Sequence, residues 1–244
     1  MNAVVVGASA GLGRALSEAL AAAGHDLVLV ASDARDLAAL ASDLRIRHGV
    51  KVVTVALDLS ADLSGVGRLG QAAAEQGGAD ALLLPIGWTA PIDDVNVAPE
   101  LAEALVRTNF LAVAAVVAEL LPQLHQRPRA CVVGFGSVAA ARGRGSNIVY
   151  AASKRALQTY FEGLRHACAD GSVSVRFYVL GYLDTSLAFG RRTLLPRADP
   201  TRLAARVLRE MGGREGVVYH PPAWRLLCAV LPLVPFFVYK RLKI

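Results

Sequence analysis

Short apolar runs alternate with longer Ala-rich segments along most of this chain. The runs lie at 3–6, 27–30, 52–56, 81–84, 131–135 and 173–180, with "GVVYH" at 216–220 as a candidate final strand. The segments predicted as helices are 12–23, 35–48, 65–76, 99–121, 150–169 and 200–211. Strands that are apolar at every position are buried on both faces, as in a parallel sheet between two helical layers. The alternation therefore predicts an α/β fold with a doubly wound parallel sheet.

A chain of 244 residues is long enough for one such domain with a sizeable core. We predict a single domain over 1–222 and an apolar, basic C-terminal extension over 223–244. Three scattered cysteines, Cys131, Cys168 and Cys228, predict no disulfide framework and no metal site, which favours a reducing, cytoplasmic compartment. We expect no signal peptide, because glycines interrupt the first apolar run, and no run reaches the ~20 apolar residues that span a bilayer.

The positive charge is concentrated near the C-terminus. Residues 1–190 carry 15 basic and 17 acidic side chains, whereas residues 191–244 carry 11 basic and 3 acidic ones, so the net charge of +6 arises in the last part of the chain. This excess adjoins the most hydrophobic stretch, which suits an anionic membrane surface better than a nucleic-acid groove. We therefore expect no nucleic-acid partner, and a solvated basic helix is the alternative.

The first predicted strand runs directly into a glycine-rich turn, "GASAGLG", whose glycines are Gly7, Gly11 and Gly13. Glycines in a turn between a strand and a helix let the backbone approach a pyrophosphate, which then meets the N–H groups at the helix start. The turn therefore predicts a dinucleotide site in a Rossmann-like sheet, with Ser9, Ala10 and Leu12 also in contact with the cofactor. A turn that serves packing alone is the alternative.

A second pattern lies at the start of the predicted helix 150–169. Tyr150 and Lys154 are four residues apart, so both side chains can point into one pocket. A tyrosine titrates near pH ~10, but a nearby ammonium stabilises the phenolate and lowers its pKa. Such a tyrosine can deliver a proton to a carbonyl oxygen. An exposed contact between the two side chains is the alternative, because the spacing alone is common.

The two patterns together resemble the short-chain dehydrogenase/reductase family, whose glycine turn reads T-G-x-x-x-G-x-G; here Val6 replaces the threonine. The resemblance implies that Ser137 hydrogen-bonds the substrate oxygen beside the catalytic Tyr150 and Lys154. It also implies that Asn109 helps to hold a water near the lysine. Further expected cofactor contacts are the adenine-side residues Asp58 and Leu59, the ribose-side Gly87, and the nicotinamide-side Gly181, Leu183 and Thr185. For Asp58, an ordinary helix cap is the alternative.

The cofactor preference depends on the end of the second strand. Ala31 stands where NAD-dependent relatives usually carry an acid that binds the ribose hydroxyl. Ser32 and Arg35, together with Arg14, suit the phosphate of NADP, so we predict that NADPH is preferred over NAD. Asp33 keeps NAD open as the alternative.

Two departures from the family pattern concern the loop after the fourth strand and the end of the sixth. Pro85 and Ile86 replace the family's asparagine and alanine, of which only Gly87 remains, and Leu180 replaces a proline. Neither change removes a group that performs chemistry. A non-catalytic NADP-binding interaction protein nevertheless stays open as an alternative.

The substrate is indicated by two local features. Arg142 and Arg144 lie between Ser137 and Tyr150, where arginine suits a phosphate or carboxylate, with solvated loop arginines as the alternative. From Leu226 to Tyr239 the chain has no charge, and prolines interrupt it. The flanking aromatic and basic residues suit a segment lying in a membrane interface, with a core or subunit-interface segment as the alternative; they are Trp224, Arg225, Lys240, Arg241 and Lys243.

The stretches "RGRGSNIVYAASK" and "PPAWR" resemble the branch of the family that reduces polyprenyl-phosphate-linked keto-sugars. The resemblance implies an NADPH-dependent carbonyl reductase whose substrate is hydrophobic, lipid-linked and phosphate-bearing. It also implies a partner oxidase and a peripheral position on the cytoplasmic face of the membrane. Another hydrophobic carbonyl, such as a 3-ketoacyl group or a steroid, is the alternative substrate, and members of this family often form homo-oligomers.

Overall fold

A computed structural model describes residues 1–185, 197–213 and 215–241; Lys243 lies outside them. The strands in this part of the chain form one sheet of seven, and all neighbouring strands are parallel. The strands are β1 Asn2–Val6, β2 Asp26–Ala31, β3 Val52–Ala56, β4 Ala81–Leu84, β5 Ala130–Ser137, β6 Val173–Leu180 and β7 Gly216–His220.

The order of the strands across the sheet is β3-β2-β1-β4-β5-β6-β7. The chain therefore moves outward in one direction from β1 to β3, returns to pair β4 with β1, and then continues in the other direction. A reversal of this kind leaves a crevice at the carboxyl ends of the strands on either side of the switch point, here β1 and β4. The predicted α/β doubly wound sheet is confirmed, and "GVVYH" is its last strand.

The helices lie on both faces of the sheet. The described helices are α1 Gly11–Ala22, α2 Ala34–His48, α3 Val66–Glu75, α4 Pro99–Val106, α5 Ala112–His125, α6 Ile148–Ala167, α7 Pro200–Glu210, α8 Trp224–Val230 and α9 Phe236–Tyr239. One core layer joins the sheet to α3, α5 and α6, and the other joins it to α1, α2 and α7. Covering both faces explains why nearly every residue of the central strands is buried.

The predicted helix 99–121 is longer and less regular than its sequence indicates. It consists of α4, a π-helical turn at Arg107–Leu111 and α5, and it continues past Pro122 to His125. Among the described residues, Pro99–His125 is the one helix long and apolar enough to cross a membrane. Val113, Val116 and Leu120 of this helix are completely or almost completely buried against the sheet, which accounts for its apolar character within the domain.

The glycine turn brings α1 unusually close to the end of β1. Gly7 has a φ of +89°, a conformation that side chains with a Cβ atom rarely adopt. A Cβ atom added to Gly13 would lie 1.8 Å from the Gly7 carbonyl oxygen, so only glycine fits at this position of the helix. The third glycine of the motif thus sets the distance between helix and strand.

We predict that Gly13→Ala lowers the free energy of unfolding by about 2–3 kcal/mol, because a backbone carbonyl must move to accept the methyl group. The matched control is Gly67→Ala in α3, where an added Cβ atom meets nothing within 4 Å. The control is expected to gain up to about 1 kcal/mol in helix propensity. Urea unfolding of the two variants measures both effects, and equal stabilities would contradict the close contact.

Candidate active site

A cavity of about 690 Å³ opens at the switch point between β1 and β4. It is lined by residues that follow β1, β2, β3, β4, β5 and β6, and by the first turn of α6. The predicted site residues in its wall are Gly7, Ser9, Ala10, Gly11, Leu12, Ser32, Asp58, Leu59, Gly87, Ser137, Arg144, Tyr150, Lys154, Gly181, Leu183 and Thr185. Gly13, Arg14, Arg35, Asn109 and Arg142 do not line it.

The N-terminus of α1 faces this cavity through Gly11 and Leu12. No side chain caps it, and its first turn contains no acidic residue, so the N–H groups and the positive end of the helix dipole are available to an anion. Gly11 lies close to Thr185, since an added Cβ atom would be 3.3 Å from the Thr185 Cγ2 atom. These residues fit the pyrophosphate of a dinucleotide.

Two residues after β2, Ser32 and Asp33, are candidates to bind the ribose of a cofactor, and the structure places them differently. Ser32 lines the cavity. The Asp33 carboxylate instead caps α2, because its Oδ1 atom accepts hydrogen bonds from the backbone N–H groups of Arg35 (2.9 Å) and Asp36 (3.1 Å). The Arg35 side chain is 94% exposed, with an Nη2 atom 3.9 Å from Asp33 Oδ2. Nothing in this geometry holds Arg35 against the cavity.

Asp58 lies in the cavity wall after β3. Its Oδ1 atom accepts hydrogen bonds from the Ser60 hydroxyl (2.6 Å) and the Ser60 backbone N–H group (2.9 Å), which together lower the pKa of the carboxyl. Helix α3 begins only at Val66, where Gly65 is the N-cap residue. Asp58 therefore organises its own turn in the cavity wall and does not cap α3.

Lys154 is the most buried charged group of the site. Its side chain projects from α6, and the residue is 4% exposed. The Nζ atom donates hydrogen bonds to the backbone carbonyls of Ile86 (3.2 Å) and Phe135 (3.3 Å), which lie after β4 and in β5. Burial lowers the pKa of this ammonium to about 8. Lys154 is thus still largely charged at neutral pH, although its charge is expensive to bury.

Asn109 supports the site from behind the cavity wall. It lies in the π-helical turn and is completely buried. Its Nδ2 atom donates to the carbonyls of Trp88 (2.8 Å) and Leu105 (3.0 Å), and its Oδ1 atom accepts from the Trp88 N–H group (3.0 Å). Asn109 thereby fixes the loop that carries Gly87, where an added Cβ atom would be 3.3 Å from Lys154 Nζ. The altered sequence of this loop does not prevent it from closing on the lysine.

Ser137 and Tyr150 both face the cavity, from the end of β5 and the first turn of α6. The Ser137 Oγ atom accepts a hydrogen bond from the Ala139 N–H group (3.2 Å), so its own proton points elsewhere. Tyr150 stands four residues before Lys154 on the same helix, as the spacing predicts. The cavity therefore combines a hydroxyl donor, a phenol and a buried ammonium.

No local sequence pattern indicates which residue orients the start of α6. Asn147 is the N-cap residue of this helix, but its side chain makes no capping bond. The cap comes from Asp93, whose carboxylate accepts hydrogen bonds from the backbone N–H groups of Val149 (2.8 Å) and Tyr150 (2.9 Å). Asp93 is 6% exposed. It therefore holds the backbone of Tyr150 from a position 57 residues earlier in the chain.

The two arginines predicted to bind the substrate occupy different places. Arg144 lines the cavity. Arg142 does not: its Nη1 atom donates to the carbonyls of Leu231 (2.8 Å) and Val234, and its guanidinium lies 3.9 Å from the centroid of the Tyr239 ring. Arg142 does not reach the cavity in this geometry, because its guanidinium holds the C-terminal segment, and its contact with the substrate stays a prediction.

We predict that Lys154→Met stabilises the cofactor-free protein by about 1–3 kcal/mol at pH 7, since it removes a buried charge. The folded-state pKa of about 8 lies below the ordinary value of 10.5, so the loss of folding stability caused by the buried charge is fully present below pH 8. This loss disappears as the pH rises from 8 to 10.5, because above that range the lysine is neutral in both the folded and the unfolded state. The difference in stability between the variant and the unmodified protein should therefore disappear over the same range. Urea unfolding at pH 7 and pH 10 measures this difference.

The matched control for this prediction is Lys51→Met, on an exposed lysine outside the cavity. Its stability should follow that of the unmodified protein at both pH values. A Lys154→Met protein that is less stable than the unmodified protein at pH 7 would show that the ammonium is well solvated or paired.

Comparisons with known proteins show which proteins this chain is similar to. The family model for short chain dehydrogenases matches residues 1–193. The chain is 29% identical over 240 residues to an uncharacterized oxidoreductase of Mycobacterium tuberculosis, covering 98% of this chain and 96% of the relative. It is 28% identical over 246 residues to a very-long-chain 3-oxoacyl-CoA reductase of Aspergillus fumigatus, covering 95% of this chain and 71% of the relative.

A solved structure of a short chain dehydrogenase from Shigella flexneri, complexed with NADP, has a TM-score of 0.82 to this chain. The identity is 22%, and the match covers 89% of this chain and 95% of that chain, so the likeness concerns the fold. The family model covers far more than half of the chain, and the resemblance to the short-chain dehydrogenase/reductase family is confirmed. This chain belongs to the short-chain dehydrogenase family and is an NAD(P)-dependent oxidoreductase.

Proposed function

We propose that this oxidoreductase uses NADPH to reduce the carbonyl of a hydrophobic, lipid-linked substrate, with a polyprenyl-phosphate-linked keto-sugar as the substrate class. One observation supports this reaction. Tyr150, Ser137 and the buried Lys154 open on the same cavity as the uncapped N-terminus of α1. A proton donor for an oxygen and a cradle for a dinucleotide phosphate therefore share one space.

Side chains of this protein supply the proton that the carbonyl oxygen receives. The Tyr150 hydroxyl gives its proton to the carbonyl oxygen as that oxygen gains charge, and Ser137 donates a hydrogen bond to the same oxygen. The Lys154 ammonium stabilises the phenolate that remains. A bound reduced nicotinamide supplies the hydride that the carbonyl carbon accepts, which completes the alcohol. Gly7, Gly11 and the N-terminus of α1 would hold its pyrophosphate.

The preference for NADPH rests on the end of β2. The Asp33 carboxylate already accepts two backbone N–H groups of α2, so it is poorly placed to accept from a ribose hydroxyl as well. Ser32 lines the cavity, and the exposed Arg35 side chain is long enough to turn toward a phosphate beside it. The absence of an acid at Ala31 supports the same preference.

The substrate class rests on Arg144 and on the segment after β7. The Arg144 Nε atom is buried and has no hydrogen-bond partner among the residues that the structure describes. An anionic group of the substrate would satisfy this donor. Trp224 at the start of α8 packs edge-on against Tyr182, which lines the cavity, with ring centroids 6.0 Å apart. An apolar segment is therefore in contact with the wall of the site, as a lipid-linked substrate requires.

A long-chain 3-ketoacyl substrate is the second candidate. The relative from Aspergillus fumigatus is named for the reduction of a very-long-chain 3-oxoacyl-CoA, and it matches 95% of this chain. The two candidates share the carbonyl chemistry and the apolar requirement. They differ in the anionic group that Arg144 would meet.

We predict that Tyr150→Phe lowers carbonyl reduction by a factor of about 10²–10⁴ and leaves NADPH affinity within a few-fold of the original, because only the proton donor is lost. The matched control is Tyr160→Phe on the same helix, whose ring packs in the core against Phe110 and Phe161. Reduction is followed by NADPH oxidation with a polyprenyl-phosphate keto-sugar, a long-chain 3-ketoacyl thioester and a steroid ketone.

The control variant should reduce the same carbonyl at nearly the original rate. Full activity of Tyr150→Phe would contradict the catalytic assignment. An unmodified protein that binds NADPH and reduces none of the three carbonyls would favour the non-catalytic interaction protein. The carbonyl that is turned over fastest decides between the two substrate classes.

A further inference from the structure

The C-terminal segment displays an apolar face that the rest of the described chain leaves uncovered. We call this the tail face. Seven of the fourteen large apolar side chains that are exposed in the described residues belong to it. They lie in α8, α9 and the turns between them: Leu226 (70% exposed), Leu227 (47%), Val230 (49%), Leu233 (79%), Phe236 (70%), Phe237 (63%) and Val238 (39%).

The tail face is held in place by contacts on its inner side. The Tyr239 ring is buried under the Arg142 guanidinium, and its hydroxyl donates to the Gly143 carbonyl at 2.8 Å. Arg142 also donates to the carbonyls of Leu231 and Val234. At the other end, the Trp224 indole fills the space beside Gly181, where a Cβ atom would lie 2.1 Å from the indole Nε1 atom. The exposed side chains are thus mounted on an anchored segment.

The anchors are also the borders of the catalytic cavity. Arg142 and Gly143 belong to the loop between Ser137 and Tyr150, and this loop continues into the cavity wall at Arg144. Gly181 lines the same cavity. Whatever covers the tail face therefore lies next to the site of the chemistry.

The charged residues that flank the tail face along the described chain are all positive. Arg225, Lys240 and Arg241 flank it and are exposed. Residues 216–244 contain no aspartate or glutamate. Two copies of this face packed about a two-fold axis would bring cations together with no acid from the same segment to match them. Anionic lipid headgroups match this pattern, with the apolar side chains inserted below them.

We infer that the tail face docks on an anionic membrane surface and places the mouth of the catalytic cavity beside the bilayer. The segment from Leu226 to Tyr239 has fourteen uncharged residues and contains Pro232 and Pro235, so it lies in the interface and does not span. A substrate with a long lipid tail could then keep that tail in the bilayer while its polar end enters the cavity. Docking itself needs no turnover and does not depend on the proposed substrate.

Sedimentation with lipid vesicles tests the inference on the full chain. The unmodified protein should bind vesicles that contain phosphatidylglycerol, and bind vesicles of phosphatidylcholine alone at least tenfold more weakly. The double variant Lys240→Gln/Arg241→Gln should lose roughly 25-fold in affinity for the anionic vesicles, at about fivefold for each cation. A higher salt concentration should also lower the affinity of the unmodified protein for the anionic vesicles, because salt screens the attraction between the charges.

The apolar contribution is tested by Leu233→Ser/Phe236→Ser, which should also lose at least tenfold in binding. Its matched control is Ile46→Ser/Val95→Ser, at two side chains that are 84% and 85% exposed outside the tail face. The control should bind like the unmodified protein. Circular dichroism and NADPH binding verify that each variant is folded.

Three results would overturn the inference. The first is that the unmodified protein fails to bind the anionic vesicles, and the second is that the tail-face variants bind them as well as the control does. The third is a lipid-free oligomer, seen by analytical ultracentrifugation, that dissociates in Leu233→Ser/Phe236→Ser, because the face would then be a subunit interface. None of these results affects the reductase chemistry, since Tyr150→Phe tests that chemistry separately.

Discussion

The burial of the Lys154 ammonium is the constraint on which the site depends. A charged group with 4% exposure is tolerated only where polar atoms replace water. Here the replacements are the carbonyls of Ile86 and Phe135, so the loop after β4, the end of β5 and helix α6 must meet at one point. The π-helical turn around Asn109 fixes that loop from the other side. These contacts explain how a loop with an unusual sequence still closes on the lysine.

The second constraint acts at β1. Gly13 lets α1 approach the end of β1 so closely that its N-terminus faces the crevice at the switch point of the sheet. The helix dipole and the free N–H groups there suit phosphate, and the buried ammonium suits a phenolate. The sheet thus brings the N-terminus of α1 and the Tyr150–Lys154 pair of α6 to the same edge, although the two helices are far apart in the sequence.

The fold class and most elements could be predicted from the sequence, because buried parallel strands are apolar throughout and helices interrupt them at regular intervals. The glycine turn and the Tyr150–Lys154 spacing are local patterns, so the neighbourhood of the cavity was predictable as well. Asp93 capping α6 and Arg142 clamping the C-terminal segment were not predictable. Each joins residues more than fifty positions apart, and no local pattern reports which distant backbone group a carboxylate or guanidinium will meet.

The cavity between β1 and β4 fits a nicotinamide dinucleotide, and we propose that Ser32 and Arg35 bind the phosphate on its ribose. The most direct measurement is a titration of the purified protein with NADPH and with NADH, followed by nicotinamide fluorescence. We expect NADPH to bind at least tenfold more tightly than NADH, and Arg35→Ala to reduce this ratio. Tighter binding of NADH would assign the ribose contact to Asp33, and binding of neither nucleotide would contradict a dinucleotide site in this cavity.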